Sequence, residues 1–205
     1  MTCIVAVAAP IGGGKTSLVQ GLAQALDGAS TVHFDHYELA TQKSPAELAR
    51  WIADGADFNE IQAPGLLTAL EALKRGEAAT DPVTGARIVP GDHVVLEMPL
   101  GREYAATAHL IDIVIWVEIP LDVALARNIK SLAADALADP RGDARDFLRW
   151  LEGYLGHYTG QVRTILEVQK LRVSAGADVV VDGLQAPEAL VAAASAAVGK
   201  FKTCG

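Results

Sequence analysis

The sequence predicts a three-layer α/β fold, in which a five-stranded parallel sheet is covered by helices in one domain over residues 1–205. Short β-branched runs alternate with longer amphipathic segments, which is the pattern of successive β-α-β units. A glycine-rich turn directly follows the first apolar run. The chain has 205 residues, of which 51% are hydrophobic, so it is long and apolar enough for one substantial core.

The strands are predicted from short apolar runs bounded by turn residues. The first run is apolar throughout, as expected for a strand that is buried on both faces of a parallel sheet. The predicted strands, in order, are Cys3–Ala8, Thr31–Phe34, His93–Leu96, Ile113–Glu118 and Asp178–Val181.

Capping signals set the helix boundaries. Ser44 to Glu47 is a capping box with proline at the first helical position, and Lys74-Arg75-Gly76 is a typical helix end. Gly153, Gly156 and Gly160 could kink one long helical stretch. The predicted helices are about 15–26, 44–55, 64–75, a short one ending near 109, 120–138, 145–173 and 187–198.

Two excursions from the sheet are predicted. Residues 80–90 contain Asp81-Pro82-Val83-Thr84-Gly85, whose turn residues indicate a small hairpin. Residues 136–147 contain a break rich in Pro, Gly and Asp, which we interpret as a helical lid.

Composition limits the partners and the compartment. The net charge is −8, so the chain lacks the broad basic surface that binds a nucleic-acid backbone. The apolar opening has no basic segment before it, and no apolar run reaches the ~20 residues of a membrane span. Cys3 is expected in the core, and with Cys204 it makes no CxxC pair or disulfide framework. We therefore expect a cytoplasmic protein without membrane or nucleic-acid partners, whose homo-oligomeric state stays open.

The strongest motif is the loop after the first strand, which matches the P-loop pattern with Ala9 in place of the first glycine. Glycines let the backbone N–H groups turn towards a phosphate, and Lys15 adds a positive charge. The Thr16 hydroxyl suits Mg²⁺, while the following helix directs its positive end at the anion. The competing interpretation is a plain glycine-rich turn. The predicted ATP-binding residues are Pro10, Ile11, Gly12, Gly13, Gly14, Lys15, Thr16 and Ser17.

Two carboxylates follow predicted strands. Glu97 ends strand three, where it could face a metal ion or simply cap a helix. Asp35 follows strand two, where it could accept a hydroxyl proton, hold Mg²⁺ or belong to a turn. His36 and Tyr37 come next, and each could touch a substrate or pack.

From the P-loop to strand five, the chain resembles the uridine kinase group of P-loop kinases, with phosphoribulokinase and pantothenate kinase as more distant relatives. The resemblance implies that Asp35 is the general base and metal partner and that Glu97 lies at a Glu-Gly position, although Met98 replaces the glycine. Asp57 falls near a substrate-side aspartate of that family. Asp81 and Arg87 match its hairpin, which here lacks the aromatic residue and the histidine that meet the nucleobase.

Arginines are the predicted cations for the charge that develops in phosphoryl transfer. Arg127 lies on the helix after strand four, and Arg141 and Arg145 flank the lid break. Their alternatives are a helix-face arginine and a solvated loop. Arg102, just beyond Glu97, would bind an anionic group in the crevice or pair with Glu103.

These residues predict a kinase that transfers the γ-phosphate of Mg·ATP to a hydroxyl of a small metabolite, such as a polyol or sugar. The absence of an Asn-Lys-x-Asp base reader disfavours a GTPase. Two alternatives stay open: a nucleoside kinase that stacks its base on Tyr37 or Tyr104, and a nucleotide-binding regulator or ATPase without an acceptor. The sequence does not identify the acceptor.

Overall fold

The centre of the fold is a parallel sheet of five strands in the order β2-β5-β1-β6-β7, next to a separate two-stranded antiparallel hairpin, β3-β4. The computed structural model describes residues 2–39, 44–139 and 142–201. This is the predicted α/β fold, and the strands lie within one or two residues of their predicted positions. Their bounds are β1 Cys3–Ala8, β2 Ser30–His33, β3 Ala79–Thr80, β4 Arg87–Ile88, β5 His93–Glu97, β6 Ile113–Glu118 and β7 Val179–Asp182.

β1 is the middle strand and is buried on both faces. Ile4, Ala6 and Ala8 belong to one hydrophobic core, whereas the alternate residues belong to a second core on the opposite face. Successive side chains of a strand point to opposite faces, so an unbroken apolar run serves a sheet that has helices on both sides.

The helices form the two outer layers. On one face, α1 and α8 approach so closely that a Cβ on Gly21 would lie 2.5 Å from Val191 Cγ2. The helix bounds are α1 Lys15–Ala25, α2 Pro45–Ala53, α3 Leu66–Lys74, α4 Ala105–Ala108, α5 Leu121–Ala138, α6 Ala144–His157, α7 Arg163–Ala175 and α8 Pro187–Val198.

The predicted capping box before α2 is present. The Ser44 hydroxyl accepts a hydrogen bond from the Glu47 amide at 3.3 Å, and the Ser44 amide donates to the Glu47 carboxylate at 2.8 Å. These two bonds satisfy N–H groups that have no partner inside the helix. The start of α2 could therefore be predicted from the local sequence.

The predicted hairpin is β3-β4, with the Asp81 side chain organising its turn. Asp81 Oδ1 accepts hydrogen bonds from the amides of Val83 at 3.0 Å and Thr84 at 2.8 Å. Gly85 has a φ of +70°, a value that favours glycine. The paired strands are only two residues each, and Ala79 faces Ile88.

The long helical stretch predicted over residues 145–173 is α6, a π-helical turn over Tyr158–Val162, and α7. The wide turn contains Gly160 and continues the helix without a break. The predicted lid break falls between the end of α5 at Ala138 and the start of α6 at Ala144, where Asp143 Oδ1 caps α6 by accepting from the Arg145 amide at 2.7 Å.

In the described parts of the chain, no helix is both long and apolar enough to cross a membrane. Cys3 is buried in β1 as expected, but its sulfur is part of a disulfide, so the expectation that the cysteines make no disulfide is wrong. The cysteines therefore give no support to a reducing compartment.

Candidate active site

The candidate site is a cavity of about 570 Å³ at the carboxyl ends of β1, β2 and β5. Loops that leave this edge of a parallel sheet converge, which is why ligand sites form there. The cavity is lined by residues 11–17 of the P-loop and α1, by Asp35 and Glu97, and by Arg127 of α5. Four predicted groups of residues, from four separate segments, therefore meet in one place.

Glycines give the P-loop its path. Gly12 and Gly14 have φ angles of +74° and +88°, which side chains other than hydrogen rarely allow. A Cβ on Gly12 would also lie 2.1 Å from the Ala124 carbonyl oxygen of α5. The Gly13 amide donates to the Pro10 carbonyl at 2.9 Å and closes the turn, so Pro10 shapes the loop from outside the cavity lining.

Lys15 begins α1 and reaches back along the loop, where Nζ donates to the Pro10 carbonyl oxygen at 3.4 Å. Burial lowers the pKa of its ammonium group, although the negative charges of Glu97 and Asp35 act in the opposite direction. An ammonium group near two carboxylates and a turn of amides has the composition of an anion site.

Glu97 is the last residue of β5 and is only 6% exposed. Its carboxylate accepts hydrogen bonds from Thr16 Oγ1, at 3.1 and 3.2 Å to its two oxygens, and lies 2.9 Å from His33 Nδ1. Burial raises the pKa of this carboxyl, but the hydrogen bond from His33 and the charge of Lys15 outweigh that effect and lower it. Glu97 is therefore ionised at neutral pH and points at the P-loop threonine.

Asp35 lies in the 3-10 turn over Phe34–His36, directly after β2. It is exposed and lines the cavity. Within the described residues, no hydrogen bond holds its carboxylate, so it is available to a ligand.

Arg127 extends from α5 into the same cavity, where its Nη1 donates to the Gly183 carbonyl at 2.8 Å. The wall beyond it combines Asn128 and Ser131 of α5 with Gln185 after β7. Sequence reasoning missed these three. Arg127 and Ser131 are four residues apart and share a helix face, but only the packing of α5 on the P-loop brings that face to the cavity.

Of the two predicted lid arginines, the structure describes one. Arg141 lies outside the described residues. Arg145 is an exposed residue in the first turn of α6, and it is not part of the cavity lining. Their predicted role stays a prediction.

The predicted substrate residues are scattered. Asp57 caps a 3-10 turn by accepting from the Asn59 amide at 3.0 Å, and Arg87 is exposed in β4. Tyr37 is 5% exposed, and its hydroxyl has no hydrogen-bond partner in the described parts of the chain. Asp81 is equally buried and bonds to His36. None of the four lines the cavity of about 570 Å³.

Arg102 corrects one expectation. Its Nη2 donates to the Asp112 carbonyl and pairs with the Asp178 carboxylate, each at 2.8 Å. Asp112 and Asp178 directly precede β6 and β7. Arg102 therefore links the amino ends of two strands, at the edge of the sheet opposite the P-loop. It neither points into the crevice nor pairs with Glu103.

Two histidines, to which the sequence analysis gave no clear role, bond to carboxylates near the site. His33 is in register with Glu97 across β2 and β5 and pairs with it, and this bond raises the pKa of the imidazole. His36 Nδ1 lies 2.6 Å from Asp81 Oδ2. The two rings are 5.2 Å apart. In the sequence, the signal for this pair was a histidine at the end of one predicted strand, His33, and a carboxylate at the end of the next, Glu97.

Comparisons with known proteins locate the fold. No protein-family model matches the chain, and no curated protein matches it. Three similar solved structures are a sugar kinase from Janibacter sp. HTCC2649, a gluconokinase from Sinorhizobium meliloti 1021 and a shikimate kinase from Aquifex aeolicus vf5. The Janibacter structure is 17% identical with a TM-score of 0.51, and the match covers 100% of this chain and 99% of that one. The gluconokinase is 17% identical with a TM-score of 0.47, and the match covers 97% of this chain and 92% of that one. The shikimate kinase is 15% identical with a TM-score of 0.46, and the match covers 96% of each chain.

The fold is similar to that of the Janibacter sugar kinase. The likeness to the Janibacter structure extends over both whole chains, in agreement with the five-stranded sheet and its helices. At 17% identity it shows the fold and no substrate. This likeness gives no support to the narrower resemblance to the uridine kinase group.

Proposed function

We propose that the protein transfers the γ-phosphate of Mg·ATP to a hydroxyl group of a small metabolite. The observation that carries this proposal is the meeting of the P-loop, the Thr16–Glu97 pair and Asp35 around one cavity. Phosphoryl transfer depends on positioning and on stabilising negative charge, and these groups provide both.

The P-loop amides and Lys15 would hold the phosphates of the nucleotide. Thr16 and Glu97 fit a magnesium ion, because both present oxygen atoms, which Mg²⁺ prefers, and lie 3.1 Å apart. Bound there, the ion would neutralise charge on the transferring phosphoryl group. Arg127 bonds Gly183 through one N–H and keeps further donors for the nucleotide.

Asp35 is the proposed general base. It is exposed to the cavity and free of hydrogen bonds within the described residues, so it can accept the proton of the acceptor hydroxyl as that oxygen attacks the γ-phosphorus. The bond from phosphorus to the bridging oxygen of ADP breaks, and ADP leaves.

The burial of the tyrosines favours a polyol or sugar acceptor over a nucleoside. The nucleoside kinase alternative needs an aromatic face for the base, and its candidates were Tyr37 and Tyr104. These residues are only 5% and 7% exposed, and Tyr104 packs edge-on against Phe34. The described hairpin strands carry Ala79, Thr80, Arg87 and Ile88, without an aromatic residue.

The test is ADP release from Mg·ATP with a panel of sugars, polyols, pantothenate and nucleosides, and with Lys15→Ala as the blank. We expect a Lys15-dependent rise with a sugar or polyol. Asp35→Asn should lower that rate by about 10²–10⁴-fold, the usual contribution of a general base, while nucleotide binding stays close to that of the parent.

The alternative from another class is a nucleotide-binding regulator or ATPase that has no acceptor. It predicts ADP release that no acceptor stimulates and that Asp35→Asn leaves unchanged. Transfer to a nucleoside alone would contradict the proposed acceptor class, and transfer at the parental rate by Asp35→Asn would contradict the proposed base.

A further inference from the structure

His36 directly follows the proposed base, Asp35, and its ring is oriented by a hydrogen bond to Asp81. It belongs to the 3-10 turn Phe34–His36, one residue after Asp35, and its Nδ1 is 2.6 Å from Asp81 Oδ2. The other Asp81 oxygen accepts from the amides of Val83 and Thr84. The hairpin turn therefore supplies a carboxylate whose orientation is set, and this carboxylate orients the imidazole.

The bond to Asp81 also determines which ring nitrogen is available. Hydrogen bonds from His36 and from the two turn amides outweigh the effect of burial and lower the pKa of Asp81 to about 2, so its carboxylate acts as an acceptor. The proton of the neutral ring must then be on Nδ1, which leaves Nε2 as an acceptor. Within the described residues Nε2 has no hydrogen-bond partner, and 27% of the His36 side chain is exposed.

The ring of His36 lies beside the cavity, next to residues that line it or bond to its lining. His36 packs 5.2 Å from the ring of His33, and His33 bonds to Glu97, which in turn accepts from Thr16. These contacts form a row of side chains from Thr16 of the P-loop through Glu97, His33 and His36 to Asp81 of the hairpin. Asp35 and His36 are consecutive residues of one 3-10 turn, so a molecule with several hydroxyl groups could contact both.

We propose that His36, oriented by Asp81, binds the acceptor by accepting a hydrogen bond from a second hydroxyl group at Nε2, and that the acceptor is therefore a polyhydroxylated molecule. One hydroxyl meets Asp35 and reacts, and a nearby hydroxyl of the same molecule donates to His36. Asp81 acts as a positioning residue. The inference rests on the phosphotransferase proposed above and narrows its substrate.

The test is the binding of glycerol, ribitol, glucitol and D-fructose to the full chain with Mg·ADP, measured by isothermal titration calorimetry. His36→Asn keeps an amide near the position of Nδ1 for Asp81 and removes Nε2. His36→Gln places an amide near the position of Nε2. His109→Asn is the matched control, because His109 is exposed near the start of β6, at the opposite edge of the sheet.

We expect at least one of these polyols to bind the parent and His109→Asn equally, and His36→Asn about tenfold more weakly, as for the loss of one hydrogen bond. His36→Gln should recover part of the affinity. Mg·ADP affinity should stay parental in all three variants, and thermal stability should stay parental in His36→Asn and His109→Asn. If the His36 ring serves only to anchor the hairpin, His36→Asn should bind polyols with the parental affinity.

Equal polyol binding by the parent and His36→Asn would overturn the inference, and so would the absence of binding by every polyol. Phosphate transfer is scored separately. Polyol binding that weakens in His36→Asn without any Lys15-dependent transfer would uphold the role of His36 and overturn the proposed function instead.

Discussion

At the scale of single residues, the site depends on carboxylates whose charge is maintained by specific partners. Glu97 is buried, yet Thr16, His33 and Lys15 keep it ionised. A buried charge without such partners would take up a proton or destabilise the fold. The histidine bound to Glu97 is therefore as much a part of the site as the carboxylate is.

His33 makes stability depend on pH in a definite direction. The hydrogen bond to Glu97 raises the pKa of His33 above its usual 6.5, so the folded state holds this proton more tightly than the unfolded chain does. The stabilisation is complete below pH 6.5 and is lost as the pH rises through the raised pKa.

We therefore expect His33→Asn to lower the free energy of unfolding more at about pH 5.5 than at about pH 8.5, as measured by urea denaturation. His93→Asn, a substitution at the other end of β5, is the control. An equal loss at both pH values would show that the His33–Glu97 bond carries no charge in the folded protein.

At the scale of elements, the P-loop is held between its own strand and a helix from the other half of the chain. α5 approaches Gly12 so closely that its Ala124 carbonyl occupies the space of a Cβ, whereas a Cβ on Gly14 would meet nothing within 4 Å. Both glycines have positive φ. Of these two positions, only Gly12 would combine an unfavourable φ with a backbone collision if a side chain were added.

Gly12→Ala should therefore destabilise the fold more than Gly14→Ala. Strain alone costs about 1 kcal/mol, and the displacement of α5 adds about 1–3 kcal/mol, the range for overpacked cores. Urea denaturation of the two variants measures the difference. Equal losses would mean that α5 moves away from the loop without cost.

At the scale of the whole molecule, the five-stranded sheet separates two hydrophobic cores and gathers the site at one of its edges. Segments far apart in sequence, from the P-loop to the loop after β7, line the same cavity. A ligand in this cavity would link α1, α5 and the sheet edge, so its binding should stabilise the entire fold.

Mg·ADP should raise the melting temperature in proportion to the logarithm of its concentration, with about 2.7 kcal/mol gained at a hundred times its dissociation constant. Lys15→Ala should lose this shift, and Trp150→Ala, at an exposed position on α6, should retain it. Differential scanning fluorimetry gives the measurement. A full shift in Lys15→Ala would place nucleotide binding elsewhere.

The sequence by itself determined the strands, the P-loop, the capping box and the hairpin turn, because each depends on neighbours within a few residues. It also placed Asp35 and Glu97 at one edge, since parallel strands end together. The tertiary structure alone decided that His33 pairs with Glu97, that Arg102 leaves the crevice for Asp178, and that Tyr37 is buried. These outcomes depend on which strands become neighbours and in what register, and packing of the two cores sets both.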